Sequence, residues 1–475
     1  MKIQQEILFY STNKKAPETN IREVILKGQA PDKGLYMPKI IPTLSNEELE
    51  SIRKMNYSEI AQLILGKFLL NYVSKDVLKR LCDDAYNYEV PIENIEKNKF
   101  IMRLDRGPTA SFKDFAARFM ARLMNYFLEE EDRNLLILTA TSGDTGGAVA
   151  DAFYNQKHVD VVVLYPKNEI SDRQRKQMTT LGNNVTAIGI NGKFDDCQRL
   201  VKQAFADRDL SHLNLSSANS INFARLLPQS VYYFYLHSRI TRNIDERIII
   251  SVPSGNFGNL MGGIFAYKMG LPVLKFIAAV NENDEFPKFL KTAVYQKIEP
   301  SRNCLSNAMN VGHPSNLARL IDLYGGHLDE NGNLLKKPNM DLLKKDIFSV
   351  SITDEKTKQS IKEVYDKYRI ILEPHGAVGW AGLNWYLNDQ FDLDIKNRTL
   401  SASTSNFSFN KEDIISASLE TADPAKFPEV IREIIKVEPV MSKRLNEILK
   451  KEEYIINLNA SYKEFKIFLL NRKKI

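Results

Sequence analysis

The sequence contains 475 residues, 43% of them hydrophobic and 26% charged, with a formal net charge of +6. These values are typical of a soluble globular protein of two or three domains with a sizeable buried core. The positive charge is spread along the chain, so it does not indicate a nucleic-acid surface, and no apolar run approaches the length of a membrane-spanning helix.

Cysteine and histidine usage indicates the compartment and argues against a metal site. The three cysteines, Cys82, Cys197 and Cys304, lie far apart and form no CxxC pair. This pattern suits a reducing compartment and indicates neither a disulfide framework nor a zinc site. The histidines also stand apart, without the HExxH spacing of a metal-binding helix. Because the start of the sequence is not a signal peptide, the protein is expected in the cytoplasm.

The pattern of the chain changes near residue 98. Residues 1–98 are predicted to form one unit, in which a turn-rich segment at 27–38 precedes helical patterns over 45–86. From about residue 99, short apolar runs alternate with amphipathic stretches, which is typical of a parallel, doubly wound α/β sheet. Strands are predicted at 135–138, 159–165, 185–190, 247–252, 275–280 and 414–419. Helices are predicted at 195–207, 222–240, 353–368 and 378–387, and others begin near 148, 171 and 260.

Lys113 stands at the start of a predicted helix. Apolar residues follow it at helical spacing, at Phe115, Phe119, Met120, Leu123, Met124 and Phe127. Ser111 and Asp114 form an S-x-x-D pattern, which predicts a capped helix start. A cation in the first turn is disfavoured by the helix dipole. Two interpretations are open: a surface lysine, or a lysine kept partly neutral so that it can form a Schiff base.

Three polar loops are candidates for binding anions. Residues 141–147 and 253–259 each lie between a predicted strand and a helix, where backbone N–H groups face outward. Residues 216–222 precede Arg225, whose guanidinium could bind a phosphate in a bidentate manner. The alternatives are ordinary turns and a surface salt bridge. Together with a reactive lysine, two anion sites match the needs of pyridoxal 5′-phosphate acting on an anionic amino acid.

Five motifs, in this order and spacing, closely resemble the threonine synthase family, in the longer form with an N-terminal domain. They are GPTASFKDFAARF from Gly107, TATSGDTGGAVADAFY from Thr139, SANSINFARLLPQ from Ser217, VPSGNFGNLMGG from Val252 and ETADPAKF from Glu420. The segment LKGQAPDKGLYMP from Leu26 is similar to the family's N-terminus. The resemblance covers nearly the whole chain.

This resemblance implies an α/β enzyme of the pyridoxal-phosphate fold type II, with two doubly wound parallel-sheet subdomains and an N-terminal domain. The N-terminal domain would be 1–98 and the catalytic region 99–475, with a smaller subdomain, roughly 135–215, inserted in the larger. The implied activity converts O-phospho-L-homoserine and water to L-threonine and phosphate. The expected partner is this small substrate, without nucleic acid, membrane or metal, and the expected state is a monomer.

The family also implies roles for particular residues. Lys113 takes the Schiff-base role, and Asp144 lies where related enzymes approach the cofactor 3′-oxygen. Thr421 matches the neutral hydroxyl at the pyridine nitrogen, which does not enforce a protonated ring. The cofactor-phosphate loop comprises Gly255, Asn256, Phe257, Gly258 and Asn259. The substrate contacts comprise Ser142 and Thr145 at the carboxylate, and Asn219, Ser220 and Arg225 at the phosphate.

The chain departs from the family pattern at three positions. Asn259 stands where the family often has Asp, and Arg106 and Asp423 stand where it often has His. Two alternatives to threonine synthesis are therefore kept. One is a threonine synthase-like phospho-lyase that releases α-ketobutyrate from the same substrate. The other is a binding protein that keeps the fold without activity, although Lys113 and Thr421 are intact.

Overall fold

The structure is a computed structural model that describes residues 6–401 and 413–472. Its strands, in chain order, are β1 Phe9–Ser11, β2 Tyr36–Pro38, β3 Ile92–Glu96, β4 Lys99–Arg103, β5 Leu135–Ala140, β6 Val159–Pro166, β7 Val185–Asn191, β8 Leu215–Ser216, β9 Ile248–Pro253, β10 Val273–Val280, β11 His327–Leu328, β12 Leu334–Lys336, β13 Ile347–Ser351, β14 Ile415–Glu420 and β15 Ile456–Asn459.

The helices, in chain order, are α1 Ile21–Lys27, α2 Asn46–Ile52, α3 Tyr57–Leu69, α4 Lys75–Ala85, α5 Lys113–Glu130, α6 Asp144–Phe153, α7 Asp172–Thr179, α8 Phe194–Ala206, α9 Phe223–Leu226, α10 Val231–Ile240, α11 Gly258–Lys268, α12 Glu285–Thr292, α13 Leu317–Leu323, α14 Met340–Asp346, α15 Asp354–Tyr368, α16 Pro374–Trp385, α17 Phe391–Ser401, α18 Pro428–Ile435, α19 Lys443–Leu449 and α20 Tyr462–Asn471.

The N-terminal region is mostly helical. The helical pattern predicted over 45–86 corresponds to α2, α3 and α4, and each of these begins behind a side-chain cap. Ser45 and Asn56 form reciprocal capping boxes with Glu48 and Glu59, which satisfies the first free N–H groups of each helix. The short strands β1 and β2 pair with each other in antiparallel fashion.

The larger sheet has the strand order β13-β10-β9-β14-β4-β3. All neighbouring strands are parallel except β3, which pairs antiparallel with β4. Helix α16 packs against β9, β10 and β14. The carboxyl ends of β4, β9 and β14 therefore lie side by side at one edge of the sheet, and the loops that follow them meet there.

The smaller sheet has the order β15-β7-β6-β5-β8 and is parallel throughout. Alternate residues of its strands enter two separate cores. Leu136, Leu138 and Val162 pack with apolar residues of α8 and α20, whereas Ile137 and Val161 belong to the main core of the molecule. The strands are thus buried on both faces, which explains their unbroken apolar character in the sequence.

The two parallel sheets with helices around them confirm the predicted fold class, a doubly wound α/β protein with an N-terminal helical region. The boundaries proposed for the domains stay predictions. Strands β3 and β4, which lie on either side of residue 98, form one hairpin of the larger sheet. Strand β15, which the sequence did not indicate, completes one edge of the smaller sheet.

Several predicted element bounds are wrong in the structure. The single helix expected at 222–240 is divided into α9, a 3-10 turn at Leu227–Ser230 and α10. Pro228 in that turn lacks an N–H group, so a continuous α-helix would lose a hydrogen bond. Helices α6 and α11 begin earlier than predicted, at Asp144 and Gly258, because the polar loops continue directly into their first turns.

Within residues 6–401 and 413–472, no helix is long and apolar enough to cross a membrane. The same residues contain no group of three or more His, Cys, Asp or Glu side chains that could hold a metal ion.

Candidate active site

Five loops leave the carboxyl ends of parallel strands and carry the predicted site residues. They connect β4 to α5, β5 to α6, β8 to α9 and β9 to α11, and the fifth follows β14. Strands β4, β9 and β14 belong to the larger sheet, and β5 and β8 to the smaller one. Ligands bind at the carboxyl ends of parallel strands, since the loops there are free to vary while the strands hold them in place.

Lys113 is the first residue of α5, and its side chain is only 13% exposed. The interpretation as a surface lysine is therefore wrong. Its Nζ lies 3.5 Å from Oδ2 of Asp144. Burial lowers the pKa of the Lys113 amine, and the charges of Lys426 and Arg225 lower it further against the opposing effect of Asp144. The six apolar residues that follow Lys113 at helical spacing are all buried.

The predicted cap of α5 is absent. The N-cap position is Phe112, which offers no side-chain hydrogen bond, and Oγ of Ser111 has no partner among the described residues. The carboxylate of Asp114 instead accepts hydrogen bonds from N and Oγ1 of Thr109, at 2.8 and 2.6 Å. Burial raises the pKa of Asp114 to about 6. Gly107 is needed here, because a Cβ atom would lie 2.4 Å from Oδ2 of Asp114.

Asp144 contacts two lysines and a glutamine of the site. Its Oδ1 lies 2.6 Å from Nζ of Lys426 and accepts a hydrogen bond from Nε2 of Gln174 at 3.0 Å. Although burial opposes ionisation, the nearby charges of Lys426 and Lys113 hold the pKa of Asp144 well below its usual range. Asp144 is therefore a carboxylate that two lysines share.

The loop at 141–147 is shaped by its own hydrogen bonds. Oγ1 of Thr141 accepts from the N–H groups of Gly143 and Gly146, at 2.9 and 2.8 Å. Gly143 has a φ of 134°, which glycine adopts without strain. Ser142 and Thr145 are half-buried, so both remain accessible to a ligand.

The loop at 253–259 is held closely by a neighbouring segment. A Cβ atom on Gly255 would lie 2.8 Å from Cα of Met309, so only glycine fits there. The carbonyl of Asn256 accepts a hydrogen bond from Nδ2 of Asn316 at 3.0 Å. Phe257 has a φ of 61°, which is uncommon for a residue other than glycine and is associated with ligand-binding turns. Gly258 is the first residue of α11, so the loop continues directly into that helix.

Asn259 faces a pair of tyrosines. Its Oδ1 accepts hydrogen bonds from the hydroxyls of Tyr232 and Tyr233, both at 2.7 Å. Its buried Nδ2 has no hydrogen-bond partner among the residues that the structure describes.

Arg225 is buried, with 3% of its surface exposed, so the alternative of a surface salt bridge is wrong. Its Nη1 donates to the carbonyl of Ala218 at 2.5 Å, and its Nε has no partner within the described part of the chain. Burial lowers the pKa of Arg225 to about 10, which still leaves it charged at neutral pH. Asn219 donates to the carbonyl of Ala140 at 2.9 Å, and its Oδ1 has no partner in the described residues.

Arg319, which the sequence did not single out, joins three segments beneath the site. Its Nη1 donates to Oδ1 of Asn316 at 2.6 Å and to the carbonyl of Ser220 at 3.2 Å. Its other two nitrogens donate to the carbonyls of Tyr36 and Ile221, at 3.2 and 2.6 Å. Burial lowers the pKa of this guanidinium to about 9. Arg319 therefore connects the N-terminal region with both phosphate-binding candidates.

Thr421 follows β14 and donates a hydrogen bond from Oγ1 to Oε1 of Glu373, at 3.0 Å. Glu373 is the N-cap of α16 and also accepts from the backbone N–H groups of His375 and Gly376. Because a carboxylate can only accept, the hydroxyl hydrogen of Thr421 points to Glu373. The sequence had no signal for Glu373, since it lies far along the chain from Thr421.

Two of the departures from the family pattern face each other. Nη1 of Arg106 lies 3.9 Å from Oδ2 of Asp423, so their opposite charges compensate. The backbone brings them together, because the N–H group of Asp423 donates to the carbonyl of Ala110. The same pairing joins the loop before Lys113 to the loop after Thr421, through a hydrogen bond from Phe112 to the carbonyl of Thr421.

Comparisons with known proteins identify the family of the chain. The family description "Pyridoxal-phosphate dependent enzyme" matches residues 90–401, "Threonine synthase N terminus" matches 8–86 and "Threonine synthase, C-terminal" matches 401–469. The chain is 36% identical to the threonine synthase of Buchnera aphidicola subsp. Baizongia pistaciae over 466 residues, which cover 98% of this chain and 99% of that protein.

Solved structures are similar over the same length. The structure of threonine synthase from Escherichia coli has a TM-score of 0.85 and 33% identity, and the match covers 98% of this chain and 100% of that chain. The pyridoxal-phosphate-bound threonine synthase from Brucella melitensis has a TM-score of 0.86 and 30% identity, with 98% of each chain covered. On the strength of its loops, its fold and these full-length likenesses, the chain belongs to the threonine synthase family of pyridoxal-phosphate-dependent enzymes.

Proposed function

We propose that the protein converts O-phospho-L-homoserine and water to L-threonine and phosphate. The observation that carries this proposal is a buried lysine amine of lowered pKa, close enough to a buried arginine that the charge of the arginine lowers that pKa further. Among the described residues, no carboxylate lies within ion-pair distance of this arginine, Arg225. The lysine suits covalent amine chemistry, and the arginine suits an anionic substrate. The resemblance to threonine synthases over nearly the whole chain supports the same substrate.

The residues present fit pyridoxal 5′-phosphate. Buried hydrogen-bond donors at Ser111, Arg225 and Asn259 have no partner in the described residues, and a polar anionic ligand would supply the missing acceptors. Lys113 would hold the cofactor covalently and Asp144 would lie near its ring oxygen. Residues 255–259 would surround its phosphate with the N-terminus of α11. When bound, the cofactor supplies an electron sink for charge that develops at Cα of the substrate.

Lys113 is the group that moves the proton at Cα in this proposal. An amine of lowered pKa can accept a proton at neutral pH and return it later, which an ordinary lysine does poorly. The carboxylate of Asp144, 3.5 Å from Nζ, orients the amine. Lys113 thus combines covalent binding with general base and general acid roles.

Arg225 and the loop before it would hold the phosphate of the substrate. The Nε of Arg225 has no partner among the described residues, so it can donate to a phosphate oxygen. The Nδ2 of Asn219 gives one hydrogen to the carbonyl of Ala140 and has a second hydrogen for the phosphate. A fixed guanidinium stabilises the charge that grows on a leaving phosphate without any reorganisation of water. Ser142 and Thr145, at the start of α6, would bind the substrate carboxylate, and Ser220 would complete the phosphate pocket.

Thr421 would face the ring nitrogen of the cofactor. Its hydrogen points to Glu373, so its oxygen toward the ring can only accept. A hydrogen bond with the ring therefore needs an N–H group there, and the pair Thr421–Glu373 favours the protonated ring more than a lone hydroxyl would. This geometry changes the expectation drawn from the sequence, in which the neutral hydroxyl did not favour protonation.

Product analysis tests the proposal. The purified protein, loaded with pyridoxal phosphate, is incubated with O-phospho-L-homoserine, and threonine, α-ketobutyrate and phosphate are measured, with Lys113→Ala as the control. We expect threonine and phosphate in equal amounts. Release of α-ketobutyrate instead would identify the phospho-lyase. Cofactor binding without release of phosphate would identify an inactive binding protein.

We also propose that the chain acts in the cytoplasm as a monomer. Cys82, Cys197 and Cys304 are all free and buried, which supports a reducing compartment. Light scattering of the purified protein would show whether it is monomeric. Limited proteolysis would test the proposed domain bounds, 1–98 and 99–475.

A further inference from the structure

Lys426 is a second buried lysine of the site, and no role has been assigned to it. It ends the 3-10 turn Pro424–Lys426 that follows β14, and none of its surface is exposed. A lysine is almost never fully buried unless its charge is paired. Its contacts therefore show what its burial achieves.

The ammonium of Lys426 has two close partners. Nζ lies 2.6 Å from Oδ1 of Asp144 and donates to the carbonyl of Thr109 at 3.1 Å. Nζ of Lys113 lies 3.5 Å from the other oxygen of the same carboxylate. Asp144 is thus closely paired with Lys426 and loosely paired with Lys113.

The surrounding elements fix the position of Lys426. Oγ of Ser171, at the start of α7, donates to the carbonyl of Lys426 at 3.3 Å, and Arg173 donates to the carbonyl of Ala425. Nε2 of Gln177 donates to the carbonyl of Thr109 at 2.9 Å, the same oxygen that Lys426 contacts. Helix α7, the turn after β14 and the loop before Lys113 therefore meet at this side chain.

We propose that Lys426 is a positioning residue, which holds Asp144 ionised and turned toward itself so that Lys113 remains the weakly paired, reactive amine. The inference rests on the proposed function in one respect, that Lys113 is the reacting lysine. It assigns Lys426 no contact with cofactor or substrate. Lys426 acts on Lys113 through Asp144 and through its own charge.

The charges that face Lys113 determine the sign of the effect. Asp144 on α6 raises the pKa of Lys113, whereas Lys426 and Arg225 lower it, as burial does. Asp144 is in turn kept ionised by Lys426, Lys113 and His375. Removing the charge of Lys426 takes away one repulsion from Lys113. Among the described residues, it also leaves Lys113 as the one lysine or arginine within ion-pair distance of Asp144. Both changes raise the pKa of Lys113.

The test compares Lys426→Met with Lys426→Arg, which keeps the charge. Lys79→Met is the matched control, because Lys79 also lies 2.5 Å from an aspartate, Asp83, but is 62% exposed. In the full-length protein before cofactor is added, the labelling rate of Lys113 by an amine-acetylating reagent is measured against pH by mass spectrometry. A second readout is the pH at which added pyridoxal phosphate is captured, seen as visible absorption.

In Lys426→Met we expect the midpoint of Lys113 labelling to move to higher pH, with a rate at neutral pH lower by roughly tenfold or more, since one pKa unit is a tenfold change in the neutral amine. Lys426→Arg and Lys79→Met should stay close to the unchanged protein. Asp144→Asn should move the midpoint in the opposite direction. If Lys426 only supported the fold, Lys426→Met and Asp144→Asn would not move the midpoint of Lys113 labelling in opposite directions.

An unchanged or lowered midpoint in folded Lys426→Met would overturn the proposal. If that variant does not fold, two other results can overturn the proposal. One is labelling of Lys426 as fast as that of Lys113 in the unchanged protein. The other is a midpoint of Lys113 labelling that does not move to lower pH in Asp144→Asn. No substrate is used in either readout. Failure of this proposal can therefore be told apart from failure to make threonine.

Discussion

Two pairs of buried cations lie in the site, and they differ in how their charge is compensated. Lys113 and Lys426 share the carboxylate of Asp144. Arg225 and Arg319 have no carboxylate within ion-pair distance in the described residues, and the hydrogen bonds that they donate go to backbone carbonyls and to one asparagine side chain. Both arginines are nevertheless buried, and burial lowers the pKa of each, to about 10 and about 9.

This difference separates two tasks. When the Lys113 amine is neutral, the carboxylate of Asp144 balances the ammonium of Lys426, so the charges of the lysine pair are compensated inside the protein without an outside ion. A buried guanidinium without an acid is costly until an anion arrives, because carbonyl dipoles compensate a full charge only in part. The lysine pair therefore suits proton transfer. Arg225, whose Nε has no partner among the described residues, suits recognition of phosphate, whereas Arg319 holds the neighbouring segments together.

The largest effect is expected from removing the reactive member of the lysine pair. Lys113→Ala should abolish covalent cofactor binding and turnover, because it removes the amine whose pKa burial lowers. Visible absorption and threonine production measure the two losses. A borohydride-reducible adduct on Lys426 in this variant would show that the two lysines are interchangeable. It would contradict the assignment of Lys113 as the reactive lysine of the pair.

A smaller loss is expected from the arginine pair. Arg225→Ala should lower kcat/KM for O-phospho-L-homoserine roughly tenfold or more, since a hydrogen bond to a charged group contributes about 1.5–3 kcal/mol. The cofactor should stay bound, which its visible absorption reports. Arg225→Lys keeps the charge without the planar guanidinium, so its kcat/KM should lie between those of Arg225→Ala and the unchanged protein. Loss of cofactor with an unchanged KM would show that Arg225 binds the phosphate of the cofactor and not that of the substrate.

The smallest effect is expected outside both pairs, at Thr421. Thr421→Val keeps the shape and removes a neutral hydrogen bond, worth about 0.5–1.5 kcal/mol. Turnover should fall severalfold while the cofactor is retained. Glu373→Gln is the companion variant, since it keeps the cap of α16 and allows the Thr421 hydroxyl to turn. In both variants, the ¹⁵N chemical shift of the labelled ring nitrogen should move toward the value of an unprotonated ring. An unchanged chemical shift would show that Thr421 does not contact the ring nitrogen.

The residues that the sequence made visible are those whose role shows in local pattern. Lys113 precedes an amphipathic stripe, and the glycine-rich loops follow apolar runs, so both could be predicted from a few neighbouring residues. The same reasoning went wrong at the start of α5, where Asp114 fits a capping pattern. Its carboxylate is bound instead by Thr109, and only the folded loop shows this.

The residues that sequence reasoning missed act across long separations. Arg319 contacts the carbonyl of Tyr36, 283 positions away, and Glu373 binds Thr421, 48 positions away. Lys426 lies inside one of the motifs that carried the resemblance, yet its spacing to Asp144 has no local signature. Burial of a charged side chain follows from the whole fold, so such residues are indistinguishable in sequence from surface lysines and arginines.

The pairing of β15 with β7 also affects how the protein is made. Strand β7 is complete at Asn191, but its outer neighbour begins only at Ile456 and runs parallel to it. On the ribosome, the smaller sheet must therefore wait with an open edge while β9, β10, β13 and β14 of the larger sheet are synthesised, and an open parallel edge can recruit foreign strands. Completion of the smaller sheet is thus a late event in biosynthesis. Nascent chains stalled before residue 456 should be the ones that chaperones hold and that aggregate when released.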